Sequence, residues 1–260
     1  MTADEFIATQ FTSLAAWMRA AATAGVGSHV YERDGVTAQV SPAIPDASLF
    51  NSITYRDADA LAAALPELES VYAAAGVRAW TVWVHQSDAA AAELVRKAGH
   101  VLDSTPEGMG CAIAELSAPD SLDELDYTAS PPLADLQVVL AEGYGYPLEL
   151  AQRAVGTVPS GADTFVGVVR AEGRPVCTAQ VTIAGEDAGV YTVATIPSAR
   201  GRGFARRLQY VLLQRARELG ARTTTLQASK LGAPVYTALG YQSYGAMNMW
   251  ERRSPRTSPS

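Results

Sequence analysis

The chain has 260 residues, of which 48% are hydrophobic and 18% charged, a balance typical of a globular protein with one large domain or two small ones. Its net charge of −7 argues against a nucleic-acid-binding protein, because such proteins usually carry a basic excess. No apolar run reaches the roughly 18 residues that a membrane-spanning helix needs, so we expect no membrane association.

The two cysteines and three histidines are too scattered to form a metal-ligand spacing, so no metal is expected. The N-terminal MTADEFIATQ lacks the basic start and apolar stretch of a secretory signal, and two unpaired thiols suit a reducing compartment. These features predict a cytoplasmic protein. The sequence leaves open whether it is a monomer or a homodimer.

The first half alternates helical and extended patterns. Apolar residues recur at helical spacing over 4–24, and Asp34-Gly35 between two extended runs predicts a β-hairpin. An aspartate N-cap, Asp57 or Asp59, is expected to begin a second helix. That helix is predicted to end at Ala75, and a third helix is predicted over 88–98. The predicted strands span 29–33, 36–41, 49–55, 79–84 and 109–116.

The second half repeats this order after a boundary that we place at 117–119, which predicts one domain over 1–117 and another over 118–252. Residues 253–260 are rich in Ser, Pro and Arg, which predicts a disordered tail. The elements predicted in the second half are helices at 132–142, 147–155, 204–219 and 234–239, and strands at 121–128, 164–170, 176–184, 189–196, 223–228 and 242–252.

Two stretches of the first half recur in pattern in the second half. AAAGVRAWTVWV (73–84) is similar to ARELGARTTTLQ (216–227), and LVRKAGH (94–100) is similar to VYTALGY (235–241). The offset is about 140 residues in both matches, and a constant offset indicates a duplicated domain. Ordinary α/β repetition could also produce part of this similarity.

The sharpest local signal is RGRGFA (200–205), which joins an apolar strand to a helix. The start of a helix has free backbone N–H groups and a partial positive charge, and glycines let the backbone approach an anion closely. Arg200, Arg202 and Arg206 add positive charge beside it. The pattern predicts a pyrophosphate cradle, with a plain glycine-containing turn and solvated arginines as the alternative.

Two other phosphate-binding loops do not fit this segment. No Gly-Lys-Ser/Thr follows, which excludes a Walker loop. A dinucleotide-binding fingerprint would need a third glycine where Arg206 stands.

The segment resembles the acetyl-CoA signature of the GCN5-related N-acetyltransferases (the GNAT family), commonly Arg/Gln-x-x-Gly-x-Gly/Ala, with Arg200, Gly203 and Ala205 in the key places. The resemblance implies that backbone amides here hold the pyrophosphate of acetyl-CoA, while the preceding strand contacts the pantetheine arm. The cofactor-binding residues that it implies are Val193, Ala194, Thr195, Arg200, Gly201, Arg202, Gly203, Phe204, Ala205, Arg206, Ser229 and Tyr236.

SKLGAPVYTALGY (229–241) resembles a second GNAT segment, Asn-x-x-Ala-x-x-x-Tyr-x-x-x-Gly-Phe. Tyr236 matches the tyrosine, whereas Ser229 replaces the usual asparagine and Gly232 the usual alanine. In the family, this tyrosine protonates the CoA thiolate that leaves when an amine attacks the thioester. Tyr236 is therefore the candidate acid, and a tyrosine packed on the sheet is the alternative.

The resemblance implies an α/β (α+β) fold of two tandem GNAT-like domains, each a mixed, mostly antiparallel sheet flanked by helices. In the first half, however, the loop position falls on RDADAL (56–61), which has two carboxylates and no glycine. Val95 stands where the second half has Tyr236. We therefore expect a degenerate, non-catalytic first domain that packs against the second and helps to wall the acceptor site.

The resemblance implies that acetyl-CoA donates its acetyl group to a primary amine of a small molecule or peptide by direct attack in a ternary complex. A protein lysine or N-terminal acetyltransferase and a non-catalytic acyl-CoA sensor remain alternatives. Glu142 is a candidate general base, or else a solvated acid at a helix end, and Tyr144 and Tyr146 either contact the acceptor or simply pack. An acidic surface would favour cationic acceptors such as aminoglycosides, polyamines or lysine, but −7 is too modest to choose.

Overall fold

The computed structural model describes residues 2–122 and 125–254. Residues 255–260, most of the predicted disordered tail, lie outside the described residues. So do two residues of the strand predicted over 121–128. In the part of the chain that the structure describes, none of the helices combines the length and the apolar character needed to cross a bilayer.

The first half begins with a long helix, α1 (Ala3–Ala24), which Thr2 caps. The Thr2 hydroxyl accepts a hydrogen bond from the Glu5 N–H, and the Glu5 carboxylate accepts one from the Thr2 N–H, so the two residues form a capping box. The elements that follow are β1 (His29–Arg33), β2 (Val36–Val40), β3 (Ser52–Tyr55), α2 (Ala58–Ala74), β4 (Ala79–His85), α3 (Ala89–Lys97), β5 (Val101–Ser104) and β6 (Glu107–Ala112).

The second half repeats the first half's order of three strands, a helix, a strand and a helix. It begins with a short strand and two helices where the first half has one long helix, and it ends in one strand where the first half has two. Its elements are β7 (Tyr127–Thr128), α4 (Leu133–Tyr144), α5 (Leu148–Ala154), β8 (Thr164–Ala171), β9 (Arg174–Ala184), β10 (Asp187–Thr195), α6 (Phe204–Glu218), β11 (Thr223–Ala228), α7 (Ala233–Leu239) and β12 (Gln242–Arg253). The predicted order of elements is confirmed except for β5, which was not predicted.

Five predicted boundaries were wrong. The strand predicted over 49–55 begins only at Ser52, after a 3₁₀ turn over Ser48–Phe50. The strand predicted over 109–116 ends at Ala112 and continues as a single 3₁₀ turn, and the strand predicted over 121–128 is reduced to β7. α4 continues through the predicted loop as far as Tyr144, and β12 extends into the predicted tail. β5 was missed because its four residues are all exposed, so it has no buried face to produce an alternating pattern.

The described strands form one sheet in the order β1-β2-β3-β4-β12-β6-β11-β10-β9-β8-β7, and β5 pairs with β12. Among them, the parallel pairs are β3 with β4 and β10 with β11, which occupy equivalent places in the two halves. The other pairings are antiparallel, so the predicted mixed, mostly antiparallel α/β fold is confirmed.

Strand pairing crosses the predicted boundary between the halves. β6, which precedes that boundary, pairs with β11 of the second half. β12, which ends the second half, begins beside β6 and then pairs with β4 over 247–253. Each half therefore contributes a strand to the other's part of the sheet. The division into 1–117 and 118–252 stays a prediction about the sequence repeat.

α1 connects the halves through a buried carboxylate at the start of β10. Ser13 on α1 donates a hydrogen bond to Asp187 at 2.6 Å, and Thr223 and Thr225 of β11 donate at 2.8 and 2.7 Å. Burial raises the pKa of Asp187, and the three hydroxyl donors oppose that rise. The first helix is thus fixed to the sheet of the second half.

Apolar side chains collect in three buried clusters, one in each half and one between them. The cluster between the halves, called here the junction cluster, brings α1 and β4 together with β10 and β12. It consists of Leu14, Trp17, Met18, Ala21, Trp83, Tyr191 and Met247.

Candidate active site

The turn before α6 holds two glycines in the left-handed region of backbone space. φ is 75° at Gly201 and 74° at Gly203, and a Cβ at either position would meet open space. A residue with a side chain would pay about 1–2 kcal/mol for this conformation. Glycine is therefore needed here for conformation rather than for lack of room.

The N-terminus of α6 is uncapped. Gly203 is the N-cap residue and offers no side-chain acceptor. Within the described residues, the backbone N–H groups of 201–206 have no hydrogen-bond acceptor. Unpaired donors at a helix start carry a partial positive charge, so this turn suits an anion that can accept several N–H groups at once.

The corresponding helix of the first half is capped by its own acid. The Asp57 carboxylate accepts a hydrogen bond from the Ala60 N–H at 2.8 Å, and Arg56 pairs with the same side chain. A carboxylate at this position satisfies the helix start and repels a phosphate. The prediction that these acids form an N-cap is confirmed for Asp57.

Arg200 uses its guanidinium to hold backbone rather than acid side chains. Its Nη2 donates to the Gly143 carbonyl oxygen at 2.8 Å, and its Nε donates to the Thr195 carbonyl oxygen at 3.2 Å. These two bonds connect the end of α4 with the end of β10, so Arg200 fixes the entrance to the turn.

Arg202 and Arg206 flank the same turn. The Arg202 guanidinium lies over the Phe204 ring, 4.8 Å from its centroid, and Arg206 donates to the Ala118 carbonyl oxygen at 3.1 Å. Arg200, Arg202 and Arg206 have no carboxylate partner within the described part of the chain. Their positive charge is therefore uncompensated beside the free amides, which favours an anionic ligand.

β10 and β11 separate to leave an opening in the sheet. They pair in parallel over 187–189 and 223–225, and both strands continue beyond that point without further pairing to each other. A β-bulge shifts the register of β10 against β9 between Tyr191 and Ala194. Thr192, inside the bulge, has a φ of 49°, a strained conformation for a β-branched residue.

The three residues predicted to contact pantetheine lie along this open part of β10. Val193 lines the opening, and its carbonyl oxygen accepts a hydrogen bond from the Tyr144 hydroxyl at 3.0 Å. Ala194 pairs with Thr178 on β9, and the Thr195 carbonyl is held by Arg200. Val193 is therefore the member of the predicted set that faces the space where a ligand would lie.

Tyr236 lies on α7 with its side chain lining the same opening. The residue is 7% exposed, and its ring meets Tyr241 edge to face at 5.8 Å. Burial raises the pKa of Tyr236 above its ordinary value, so the phenol keeps its proton at neutral pH. No hydrogen bond to its hydroxyl is found within the described residues, which leaves that group available to a ligand.

Gly232 explains one departure from the family pattern. A Cβ at this position would lie 2.9 Å from Cε2 of the Tyr236 ring, closer than real Cβ contacts come. Replacing the usual alanine with glycine therefore makes room for Tyr236 in its present position.

Ser229 precedes α7 and lines the opening beside Tyr236. Its hydroxyl accepts a hydrogen bond from the Gly232 N–H at 3.2 Å, and its carbonyl oxygen accepts from the Gly232 and Ala233 N–H groups. Ser229 thus supports the start of α7 and positions the helix that carries Tyr236.

Glu142 lies apart from this opening. Both of its carboxylate oxygens are 2.8 Å from Nη2 of Arg174, both side chains are exposed, and Glu142 does not line the cavity. Its carboxylate is thus directed at the Arg174 guanidinium and not into the cavity. The role of Glu142 as general base stays a prediction, and this geometry gives it no support.

The opening is a cavity of about 290 Å³ between the two halves. The second half contributes Tyr236, Ser229 and the bulged part of β10, and the first half contributes side chains of the junction cluster. This lining agrees with the expectation that the first half walls the acceptor site, which stays a prediction. The first-half residues that line it are Leu14, Trp17, Leu49, Phe50, Trp83, Ser104 and Pro106.

Several lining residues were missed by the sequence reasoning. Gln227 on β11 and Thr192 in the bulge carried no motif, because a strand pattern does not show where two strands separate. Trp17 and Trp83 were interpreted only as parts of a helix and a strand. The presence of a large aromatic residue in each element was the available indication, because tryptophans are enriched at interfaces.

Cys177 is not a nucleophile in this site. Its thiol is fully buried, and burial raises its pKa to about 12, so almost no thiolate forms at neutral pH. Cys177 is instead a small buried residue in β9, which is what a cysteine within a strand pattern and without a nearby histidine in sequence predicts. The described residues contain no cluster of three or more His, Cys, Asp or Glu side chains that could hold a metal ion.

Comparison with known proteins agrees with this geometry. Residues 136–241 match the model of the acetyltransferase (GNAT) family. No curated protein sequence matches the chain. A solved GCN5-related N-acetyltransferase from Kribbella flavida has a similar fold, with a TM-score of 0.70, 18% identity and 96% of each chain covered.

A tandem GNAT protein from the clavulanic acid biosynthesis pathway is similar over 95% of this chain and 96% of its own, with a TM-score of 0.56 and 12% identity. A GCN5-related N-acetyltransferase from Sphaerobacter thermophilus has a TM-score of 0.57 and 14% identity, over 84% of this chain and 80% of its own. At these identities the likeness shows the fold. Residues 136–241 are thus identified as a GNAT acetyltransferase domain, and the chain as a whole has the fold of solved GNAT proteins, including a tandem one.

Proposed function

We propose that this protein transfers the acetyl group of acetyl-CoA to a primary amine of a small molecule or peptide by direct attack in a ternary complex. The observation that carries the proposal is the uncapped, glycine-shaped start of α6, with uncompensated arginines beside it. β10 runs from the open part of the sheet directly into this turn, and Tyr236 lines the opening. One extended ligand could therefore occupy both regions.

The turn fits the pyrophosphate of acetyl-CoA. The N–H groups of 201–206 supply several unpaired donors, and Arg202 lies on Phe204 at the entrance to α6. The first half has the corresponding helix but fills its N-terminus with Asp57, so we assign it no acetyl-CoA site. One donor molecule per chain is expected.

The open part of β10 fits the pantetheine arm. On one side, this part of β10 faces the gap left by β11. On the other side, the bulge at Thr192 interrupts the backbone hydrogen bonds between β10 and β9, so that some backbone groups of β10 are unpaired. Holding the thioester in this gap beside the acceptor cavity converts a bimolecular encounter into a positioned reaction. Backbone N–H groups of the bulge could polarise the thioester carbonyl.

The reaction forms a bond between the amine nitrogen and the acetyl carbon and breaks the bond from that carbon to sulfur. The ammonium has no lone pair, so the acceptor must react as the neutral amine, which loses one proton to water on attack. The sulfur leaves as a thiolate and is protonated. Tyr236 supplies a hydrogen-bond donor for that sulfur.

The raised pKa of Tyr236 limits what the phenol can do alone. An ordinary thiol has a pKa of about 8.5, so complete proton transfer from this buried phenol to a thiolate is uphill. We therefore assign Tyr236 the role of stabilising the developing negative charge on sulfur through its O–H group. Full protonation of CoA then follows as the product meets solvent.

Thiol release tests this function. Purified protein is mixed with acetyl-CoA and a panel of amines, and free CoA is followed with a thiol reagent while the acetylated amine is identified by mass. Calorimetry with acetyl-CoA alone gives binding independently. Binding without thiol release for any amine would leave the acyl-CoA sensor as the function, and preferred acetylation of protein substrates would identify a protein acetyltransferase.

A further inference from the structure

The cavity at the junction contains no charged side chain. Its lining comes from both halves of the sheet and from α1, α4, α5 and α7, and none of the described lining residues is Asp, Glu, Lys, Arg or His. The polar side-chain groups of the lining are uncharged: hydroxyls, the amide of Gln227 and the indole N–H groups of Trp17 and Trp83. A chain with 27 acidic residues has thus kept all of them out of this space.

Aromatic rings form much of the cavity wall. Trp17 stacks on Tyr191 with ring centroids 5.1 Å apart and lies 6.4 Å from the Phe50 ring. In the same lining, Tyr144 and Tyr146 stack on each other at 5.7 Å. Such walls favour a flat apolar group, since ring pairs gain energy beyond the area that they bury.

We propose that the acceptor is a primary amine attached to an apolar, ring-bearing body, and that it enters this cavity as the uncharged amine. This inference rests on the proposed function, because it names the second substrate of the same site. A polyamine or aminoglycoside carries several ammonium groups. Each of them would lose water in the cavity without gaining a carboxylate partner, which disfavours binding.

The absence of charged side chains also explains how the acceptor amine could lose its proton without a general base in the cavity. Burial in an apolar space disfavours an ammonium and lowers its pKa, as it does for buried lysines. The cavity therefore favours the neutral amine that attack requires. The reaction then needs no carboxylate base in the cavity, which agrees with the position of Glu142 in an exposed ion pair with Arg174.

The cavity also limits the size of the acceptor. Its volume is about 290 Å³, and part of that space lies beside Tyr236 and Val193, where the thioester would be held. A single ring with a short alkyl amine fits the remainder, whereas a folded protein surface is too broad to enter a pocket of this size. Small arylalkylamines are therefore the best probes.

The test compares kcat/KM for 2-phenylethylamine and tryptamine with kcat/KM for spermidine, kanamycin and a lysine-containing peptide. We expect the two ring-bearing amines to exceed the three cationic acceptors by about 100-fold or more. Preference for any cationic acceptor would overturn the inference and leave the proposed function standing. Absence of thiol release with every amine, despite measured acetyl-CoA binding, would overturn both.

Variants of α5 isolate the effect of charge. Leu150 lines the cavity, whereas Leu148 on the same helix is 40% exposed and does not. Leu150→Glu should lower kcat/KM for 2-phenylethylamine by about 10-fold or more relative to Leu150→Gln, which has the same size without the charge. Leu148→Glu should match the unmodified protein. Equal losses in Leu150→Glu and Leu150→Gln would show that charge does not select the acceptor and would overturn the inference.

Discussion

The Tyr144 hydroxyl donates a hydrogen bond to the Val193 carbonyl oxygen, with 3.0 Å between the two oxygens. Val193 is the residue of β10 where the pantetheine arm is proposed to bind, so the tyrosine occupies an acceptor that the ligand also needs. The end of α4 is thus connected across the opening of the sheet. Binding of acetyl-CoA would require this bond to break or to be shared.

We expect Tyr144→Phe to bind acetyl-CoA more tightly. A hydrogen bond of this kind contributes about 0.5–1.5 kcal/mol, so removing the competing hydroxyl should lower Kd by about 2- to 10-fold. Calorimetry measures the change. Tyr146→Phe is the matched control, because its ring stacks on Tyr144 and its hydroxyl does not bond to Val193. Weaker binding by Tyr144→Phe would mean that the hydroxyl supports the ligand instead.

Gly203→Glu should abolish acetyl-CoA binding. The new side chain must adopt a φ of 74°, which costs about 1–2 kcal/mol, and it places a negative charge among the amides proposed to hold the pyrophosphate. Together these effects predict a rise in Kd of about 100-fold or more.

Gly76→Glu is the control for that substitution. Gly76 follows α2 with a φ of 68° and has open space around it, so the strain and the charge are the same but the anion site is absent. Calorimetry should give an unchanged Kd for this variant. Unchanged affinity in Gly203→Glu as well would remove the cradle from the proposal.

Tyr236→Phe should reduce turnover without affecting acetyl-CoA binding. Loss of the hydroxyl removes the donor for the departing sulfur, and positioned proton donors contribute about 10²- to 10⁴-fold, of which we expect the lower part because full transfer is uphill. Steady-state kinetics should therefore show a fall in kcat of about 100-fold at an unchanged Kd. A variant with normal kcat would place Tyr236 among the packing residues.

The pH profile gives a second view of Tyr236. Because burial raises its pKa above 10, the phenol stays protonated throughout the range from about pH 6 to 9. The neutral amine becomes more abundant as pH rises, so kcat/KM should increase with pH. We expect no decrease in kcat/KM at any pH up to 9. A descending limb between pH 7 and 9 that disappears in Tyr236→Phe would show that the phenol ionises earlier than its burial implies.

His100 predicts a loss of stability in mild acid. Its ring is 2% exposed, packs edge-on against Trp80, and bonds to the Val95 carbonyl oxygen, and burial lowers its pKa to about 4. In the unfolded chain its pKa is about 6.5, so the unfolded state binds the proton first as pH falls. The free energy of unfolding should therefore decrease by about 2 kcal/mol between pH 7 and pH 5 from this group.

Denaturant titrations at the two pH values measure that loss. His100→Asn keeps a donor for the Val95 carbonyl oxygen but cannot titrate. Between pH 7 and pH 5, the free energy of unfolding of this variant should therefore decrease by about 2 kcal/mol less than that of the unmodified protein. Equal pH dependence in the variant and the unmodified protein would show that the pKa of His100 does not differ between the folded and unfolded states.

The elements with a local cause could be predicted from the sequence. α6 follows from its apolar spacing and from the glycines before it, and β11 was placed at its observed bounds of Thr223–Ala228. The N-cap at Asp57 was predicted because a carboxylate at a helix start satisfies nearby N–H groups. Periodicity and capping act within a few residues, so a single sequence shows them directly.

The features that depend on distant partners could not be predicted. Alternation in the sequence identifies a strand but not the strand that pairs with it. Neither the pairing of β12 with β4 nor the gap between β10 and β11 was therefore predicted. The positive φ of Thr192 results from a register shift against β9, and threonine gives no sign of it in sequence. The cavity at the junction depends on all of these, which is why its uncharged wall emerged only from the structure.

The exchange of β6 and β12 has a consequence for how the protein is made. Residues of β4 leave the ribosome before the whole second half has been synthesised, yet the neighbour that covers their edge is β12. Until β12 has been synthesised, one edge of β4 is therefore unpaired, and an unpaired strand edge can pair with other chains and aggregate. Genes encoding either half alone should give insoluble products, whereas co-expressing the two halves offers each the strand that it lacks.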